Sequence, residues 1–477
     1  MTDSYSSLAQ IKDDINRGKT TVEKLVKGYL DKISANARLN AFNEVFKDEA
    51  LVSARTIDLR IKNGSAGKLA GMVIAIKDNI CYKGHKVSAS SKILEGFTSI
   101  YSSTIVERLL AEDAVIIGRC NCDEFAMGAS NENSFFGPVK NFADETRVPG
   151  GSSGGSAVAV QAGMCHAAIG TDTGGSVRQP ASFCGLIGLK PTYGRISRHG
   201  IIAYASSFDQ VGPITRSIED AALLLEVMAG TDDYDSALAD LPVPSYSQHI
   251  EKPSPKKIAY LQEALSSPGV DDDVKSNLVK YIDKLRADGH TVKPIAFELL
   301  DYLVPTYYIL AMAEASSNLS RYDGVHYGYR SPAAVDLVST YKRSRSEGFG
   351  KEVKRRIMLG TFVLSAGYYD AYFAKAQKVR RMIREKTDAI LKEYDFIMVP
   401  TAPEPAFPIG KGPKDPVVTY LADIFTVQAS LTGAPAISLP TGNNSTGLPL
   451  GLQLLSKHFQ EQELLNFSQY FLELQKN

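Results

Sequence analysis

Val148-Pro149-Gly150-Gly151-Ser152-Ser153-Gly154-Gly155-Ser156-Ala157-Val158-Ala159-Val160-Gln161-Ala162-Gly163 is the stretch on which the reading of this chain turns. From Gly150 to Ser156 it holds nothing but glycine and serine, and it admits three readings. A Gly/Ser linker stays flexible and runs on into polar sequence, whereas here a run of small apolar residues follows, suited to close packing. A nucleophile elbow would place Ser153 as nucleophile in Gly151-Ser152-Ser153-Gly154-Gly155, which fits G-x-S-x-G. That motif follows an apolar strand, and Asp144 to Val148 are mostly polar and end at Pro149. The third reading pairs this loop with Gly170-Thr171-Asp172-Thr173-Gly174-Gly175-Ser176-Val177-Arg178-Gln179-Pro180. Two Gly-Gly-Ser loops let main chain approach main chain, which glycine permits, and each presents a serine hydroxyl. Backbone N–H groups at Thr173, Gly174, Gly175 and Ser176 could then converge on a developing oxyanion.

A serine in such a loop needs a base. The seven histidines, His85, His166, His199, His249, His290, His326 and His458, are scattered, and none lies in either loop. Lysine is the other candidate. Met72 to Ile76 reads as a buried strand that runs into Lys77-Asp78-Asn79, and burial there would lower the amine's pKa. Taken without the two loops, Lys77 reads as a charged residue in a turn.

Outward from these loops the pattern is that of an α/β protein. Ala114 to Ile117 reads as a second buried strand, with a helix around Ile105 to Leu110 between the two. Thr20 and Glu23 form a capping box before Val22, Leu25, Val26, Tyr29, Leu30 and Ile33 at helical spacing. Residues 232–256, rich in Asp, Pro and Ser, suggest a surface connection. Lys257 to Tyr260 and Phe396 to Val399 read as strands, and Val274 to Leu285 as a helix. Lys375 to Tyr394 reads as an amphipathic helix with Val379, Met382, Ile383, Ala389 and Ile390 on its apolar face. No internal repeat is visible.

The chain's 477 residues allow about three domains or one large one. With 44% hydrophobic residues, 38 Gly and 22 Pro, the composition is that of an ordinary globular protein and excludes collagen, coiled coil and disorder. Lys plus Arg number 53 and Asp plus Glu 53, so the surface as a whole is no field for nucleic acid. No apolar run approaches the roughly 18 residues of a membrane span, and the N-terminus is polar and acidic, unlike a signal peptide. A cytoplasmic protein without a membrane partner is expected. Five cysteines without framework spacing fit reduced thiols. Cys120 and Cys122, the only close pair, lack the neighbours of a tetrahedral site, so no metal is expected.

Lys77, the GGSSGGS loop and the GTDTGGS loop together resemble the amidase signature family, and the spacings match: Lys77, Ser152 and Ser176 stand 75 and 24 residues apart. The resemblance implies a mixed β-sheet flanked by helices on both faces. It implies Ser176 as nucleophile, Ser152 as a bridging serine after a cis peptide, and Lys77 as base. Thr173, Gly174 and Gly175 would form the oxyanion hole.

Three further stretches, Asp123-Glu124-Phe125-Ala126-Met127-Gly128, residues 313–321 (AEASSNLSR) and residues 348–357 (GFGKEVKRRI), look like the amidotransferase branch of that family, and the likeness runs almost end to end. In that branch the chain hydrolyses glutamine and needs no cofactor of its own. The ammonia passes to a B subunit that uses ATP and Mg2+ to amidate misacylated Glu-tRNA(Gln) or Asp-tRNA(Asn), and a small C subunit completes a heterotrimer. The resemblance further implies that Arg356 holds the α-carboxylate of glutamine, Asp423 its α-ammonium, and that Tyr307 lines the pocket. A guanidinium pairs bidentately with a carboxylate, although by pattern alone Arg356 reads as part of a surface basic cluster. The expected organisation is one domain over 1–477, with N-terminal helices over 1–65, an α/β core over 66–230, and a helical insertion and remaining core over 257–477. Val73, Cys120 and Cys122 depart from the family's usual residues and are read as packing positions. A stand-alone amidase acting on aryl or alkyl amides is the alternative.

Overall fold

The computed structural model describes residues 5–248, 250–251, 253–412 and 421–475; His249 lies outside them. Eleven strands form one mixed sheet. In chain order they are β1 (Phe42–Val45), β2 (Val73–Lys77), β3 (Val115–Cys120), β4 (Ala167–Asp172), β5 (Ile187–Lys190), β6 (Gln210–Thr215), β7 (Lys257–Leu261), β8 (Thr291–Ile295), β9 (Phe396–Pro400), β10 (Ala436–Asn443) and β11 (Pro449–Leu455). Their order across the sheet is β1-β3-β2-β4-β6-β5-β10-β11-β9-β7-β8.

β3, β2 and β4 run parallel, with Lys77 opposite Cys120 and Ile76 opposite Ile169. β9, β7 and β8 form a second parallel group, and antiparallel pairs join the two. Every residue of β2, β3 and β4 is buried, the signature of parallel strands covered on both faces. Their carboxyl ends lie on one edge of the sheet, where crevices open in such folds. Lys77 ends β2, Asn121 to Glu124 follow β3, and the Thr173–Ser176 loop follows β4.

The expected strands at 72–76, 114–117, 257–260 and 396–399 fall within a residue or so of β2, β3, β7 and β9, and the expected helices lie within Thr104–Ala111 and Asp272–Ala287. The helix Val22–Ala35 buries Val22, Leu25, Val26, Tyr29, Leu30 and Ile33, as its spacing predicts. Its cap differs: Thr21, not Thr20, accepts from Lys24 N. The helix Lys375–Glu393 is present, but its buried face is Ala376, Ile383, Thr387 and Leu391. Met382 and Ala389, expected on that face, are exposed, because the neighbours pack about a quarter-turn away.

Between β8 and β9 the chain leaves the sheet and forms the helices Leu300–Asn318, Leu337–Gly348 and Lys351–Leu364, returning through Lys375–Glu393. One contiguous apolar cluster extends from Leu8 to Phe471. All five cysteines are buried and unpaired.

Candidate active site

Residues 148–160 are buried throughout, which removes the linker reading. Gly154–Gln161 is a helix, and Ser153 precedes its first turn. The peptide between Gly151 and Ser152 is cis. Lys77 Nζ donates to Ser152 Oγ at 2.7 Å, Ser153 Oγ at 3.0 Å and Thr171 Oγ1 at 3.0 Å, so the amine is enclosed by hydroxyls. Ser153 is therefore a partner of the lysine on the buried side. No apolar strand leads into it, so the elbow reading fails as well.

Complete burial pushes the Lys77 amine down to about 8, although the charges of Cys122, Asp123, Asp172 and Asp209 pull it upward. The neutral amine is thus accessible near neutral pH. Lys77 and Ser152 are 0% exposed and Ser176 is 7% exposed, so of the three only Ser176 keeps contact with solvent. Ser153 N donates to Ser176 O at 3.2 Å, which clamps the two Gly-Ser loops together. Asp123 N donates to Ser152 O at 3.2 Å, while the Asp123 carboxylate accepts from Asn131 N and Asn133 N.

The second loop is held from beneath. Arg178 makes a bidentate pair with Asp172, with Nη2 to Oδ1 at 2.8 Å and Nε to Oδ2 at 2.9 Å. Against the upward push of burial, that guanidinium holds the Asp172 carboxyl below its ordinary range. Arg178 Nη1 also donates to Thr426 O at 2.8 Å and Gln453 Oε1 at 2.5 Å. Thr173 Oγ1 donates to the buried Asp209 at 2.7 Å. Among the described residues, no protein acceptor takes the amides of Thr173, Gly174, Gly175 or Ser176. Gly175 has φ +145°, and a Cβ on Gly174 would stand 2.5 Å from the Tyr307 hydroxyl, so this loop needs both glycines.

Tyr307 therefore borders the loop, packed edge-on against Phe208 and Tyr308. Tyr308 donates its hydroxyl to Asp423 Oδ2 at 2.6 Å. Arg356 is 4% exposed, so it is no part of a surface cluster. It donates Nε to Glu352 at 2.8 Å and Nη1 to Tyr204 Oη at 2.8 Å, and its guanidinium lies 5.4 Å from the centre of the Tyr308 ring. Burial raises the Asp423 carboxyl to about 6, with Tyr308 and Arg356 limiting the rise. The structure thus brings Tyr307, Arg356 and Asp423 into one recess through Tyr308 and Tyr204. Asp209, which holds Thr173, also accepts from Tyr204 N at 2.9 Å, so Tyr204 joins the recess to the loop.

Sequence reading missed Ser153 in this role, Tyr204, Tyr308, Glu352 and Asp209. Tyr308 adjoins a named residue and Ser153 lies inside the quoted motif; Tyr204 and Asp209 carry no local signal. No described histidine hydrogen-bonds to Lys77, Ser152 or Ser176. Among the described residues, no group of three or more His, Cys, Asp or Glu is placed to hold a metal ion. Nor is any described helix long and apolar enough to cross a membrane.

The family model described as "Amidase" matches residues 24–465. A protein of Chlorobium luteolum, named as the A subunit of glutamyl-tRNA(Gln) amidotransferase, is 50% identical over 468 residues, covering 98% of this chain and 96% of its own length. The protein of the same name from Salinibacter ruber is 45% identical over 512 residues, covering 98% of this chain and 100% of its own. Among solved structures, the corresponding glutamyl-tRNA(Gln) amidotransferase chain of Thermotoga maritima aligns with TM-score 0.76 at 40% identity, covering 93% of this chain and 90% of its own. The peptide amidase of Stenotrophomonas maltophilia aligns with TM-score 0.83 at 29% identity, covering 99% and 97%.

Proposed function

The chain belongs to the amidase family, and within it we propose that this protein is the glutamine-hydrolysing subunit of a tRNA-dependent amidotransferase. The observation that carries this reading is the recess, where a buried guanidinium and a buried carboxylate, Arg356 and Asp423, stand on either side of Tyr308. Opposite charges at that spacing suit the α-carboxylate and α-ammonium of a free amino acid, and an aryl or alkyl amide would use neither.

In the proposed reaction Ser176 Oγ attacks the side-chain amide carbon of glutamine. Its proton passes to Ser152 Oγ as the Ser152 proton passes to neutral Lys77 Nζ. The tetrahedral oxyanion takes the amides of the Thr173–Ser176 loop. Collapse returns a proton from the lysine through Ser152 to the leaving nitrogen, releasing ammonia and a γ-glutamyl ester on Ser176. Water, activated through the same relay, then frees glutamate. No step calls for a cofactor in this chain, which we read as a single amidase domain. The names of the relatives support the remaining assignment: a B subunit that uses ATP and Mg2+ on misacylated tRNA, and a C subunit.

The test is glutamate release from glutamine by wild-type and Ser176→Ala protein, isolated with its natural partners. Activity lost in the variant, and raised in wild type by misacylated tRNA and ATP, is expected. The likeness to a peptide amidase favours one other reading, a stand-alone amidase. Turnover of simple amides by the chain alone, with no glutaminase activity in the complex, would establish that instead.

A further inference from the structure

Helix Lys351–Leu364, which carries Arg356, begins at Gly350, a residue with no side chain to cap the helix's first amides. The missing acceptor comes from far away in sequence. Gly350 N donates to Glu124 Oε2 at 2.9 Å and Oε1 at 3.1 Å. Glu124 is 4% exposed, and a Cβ built on Gly350 would fall on top of Glu124 Oε2, well inside contact distance. Ser91 Oγ also donates to Glu124 Oε1, and lies 3.4 Å from Gly348 O. One carboxylate thus ties together the segment after β2, the segment after β3 and the start of the helix.

The other neighbour of this contact is the reaction centre. Asp123, adjacent to Glu124, donates its amide to Ser152 O at 3.2 Å, and Phe125 N donates to Ala89 O at 2.9 Å. A rigid three-residue turn, Asp123 to Phe125, therefore holds the bridging serine at one end and the Arg356 helix at the other. A buried carboxylate at a helix N-terminus is stabilised by the unpaired amides and the helix dipole. Burial nevertheless raises the Glu124 carboxyl to about 7, with Ser91 and Gly350 opposing the rise.

We propose that Glu124 is a positioning residue for substrate specificity: its carboxylate fixes the N-terminus of helix Lys351–Leu364 against the turn that holds Ser152, and so sets Arg356 at its distance from the reacting serine. The inference rests on the assignment of Arg356 to the glutamine α-carboxylate. Glu124 touches no substrate. Its loss weakens selection of the amino acid and leaves the hydrolytic chemistry in place.

The experiment compares glutamine with a simple amide that has no α-carboxylate, in the intact complex, for wild type, Glu124→Ala, Glu124→Gln and Arg356→Ala. Removing a helix-capping acceptor is expected to raise KM for glutamine about fivefold to tenfold in Glu124→Ala. Its kcat, and kcat/KM for the simple amide, should stay within about twofold. Glu124→Gln should recover most of the loss, because the amide oxygen still accepts from Gly350 N while its nitrogen donates to Ser91 Oγ. Gly350→Ala, whose φ of −68° suits alanine, displaces the carboxylate by contact and should reproduce the Glu124→Ala effect without adding to it in the double variant. Equal loss on both amides, or no rise in glutamine KM, overturns the proposal if Arg356→Ala remains selective for glutamine. Should Arg356→Ala itself fail to discriminate the two amides, the assignment of Arg356 is what falls. If Glu124→Ala does not fold, the Gly350→Ala and Glu124→Gln pair decides the same question.

Discussion

Lys77, Ser152 and Ser176 stand at the carboxyl ends of sheet strands and on loops where main chain packs against main chain, whereas Tyr307, Tyr308 and Arg356 stand on helices outside the sheet. The first group is fixed largely by backbone: a clamp from Ser153 N to Ser176 O, an amide of Asp123 on Ser152 O, and glycines where no Cβ fits. The second is fixed by side chains, through Glu352, Tyr204 and Asp423. Beneath the reaction centre everything is buried, while the helix bearing Arg356 leaves Met358 66% and Phe362 43% exposed on its outer face. Bond cleavage is therefore built into the closely packed part of the sheet, and choice of substrate into a layer that can change by substitution without disturbing it.

Lys77→Met is the strongest test of that division. It removes the proton acceptor, so kcat should fall about 10^3-fold on glutamine and on a simple amide alike. In wild type the base is the unprotonated amine, with its pKa lowered to about 8. The kcat/KM profile should therefore rise with pH up to about 8 and level above it, and a profile flat across that range would disprove the lysine's role. Arg356→Ala acts on the other side, lowering kcat/KM for glutamine about 10^2-fold with the simple amide nearly unaffected. Equal losses would merge the two regions into one. At the seam, Gly174→Ala drives a methyl group into the Tyr307 hydroxyl. Steady-state rates should drop about tenfold for both amides, since the loop amides and the recess wall move together. The smallest effect is expected from Asp423. Its carboxyl is raised to about 6, so protonation as pH falls through 6 removes the negative charge and should raise KM for glutamine about threefold. A simple amide should show no such change.

What the sequence disclosed follows the same line. Short continuous apolar runs ending in Lys77 or Gly118 marked β2 and β3, and two Gly-Ser loops marked the chemistry, because these features are local. β6 contains Gly212 and Pro213, and β10 contains Pro440, so their patterns do not read as strands; pairing with neighbours overrides propensity there. Tyr204 and Asp209 lie in an unpatterned segment and acquire their places from contacts with Arg356 and Thr173, more than a hundred and about thirty-six residues away. The exposed Met382 shows the same limit on a helix, where periodicity gives an apolar face but the neighbouring elements choose how much of it is covered.

Arg178 also sets an order of events during synthesis. Its guanidinium is completed by Thr426 O and Gln453 Oε1, both supplied by the last stretch of the chain. A nascent polypeptide that has emerged only through β9 carries Lys77, Ser152 and Ser176, but lacks both acceptors and the β10 edge against which β5 pairs. Chains emerge from the ribosome at about 5–20 residues per second, so for several seconds all three side chains exist without the support that shapes their loop. The hydrolase becomes competent only when its carboxyl terminus arrives.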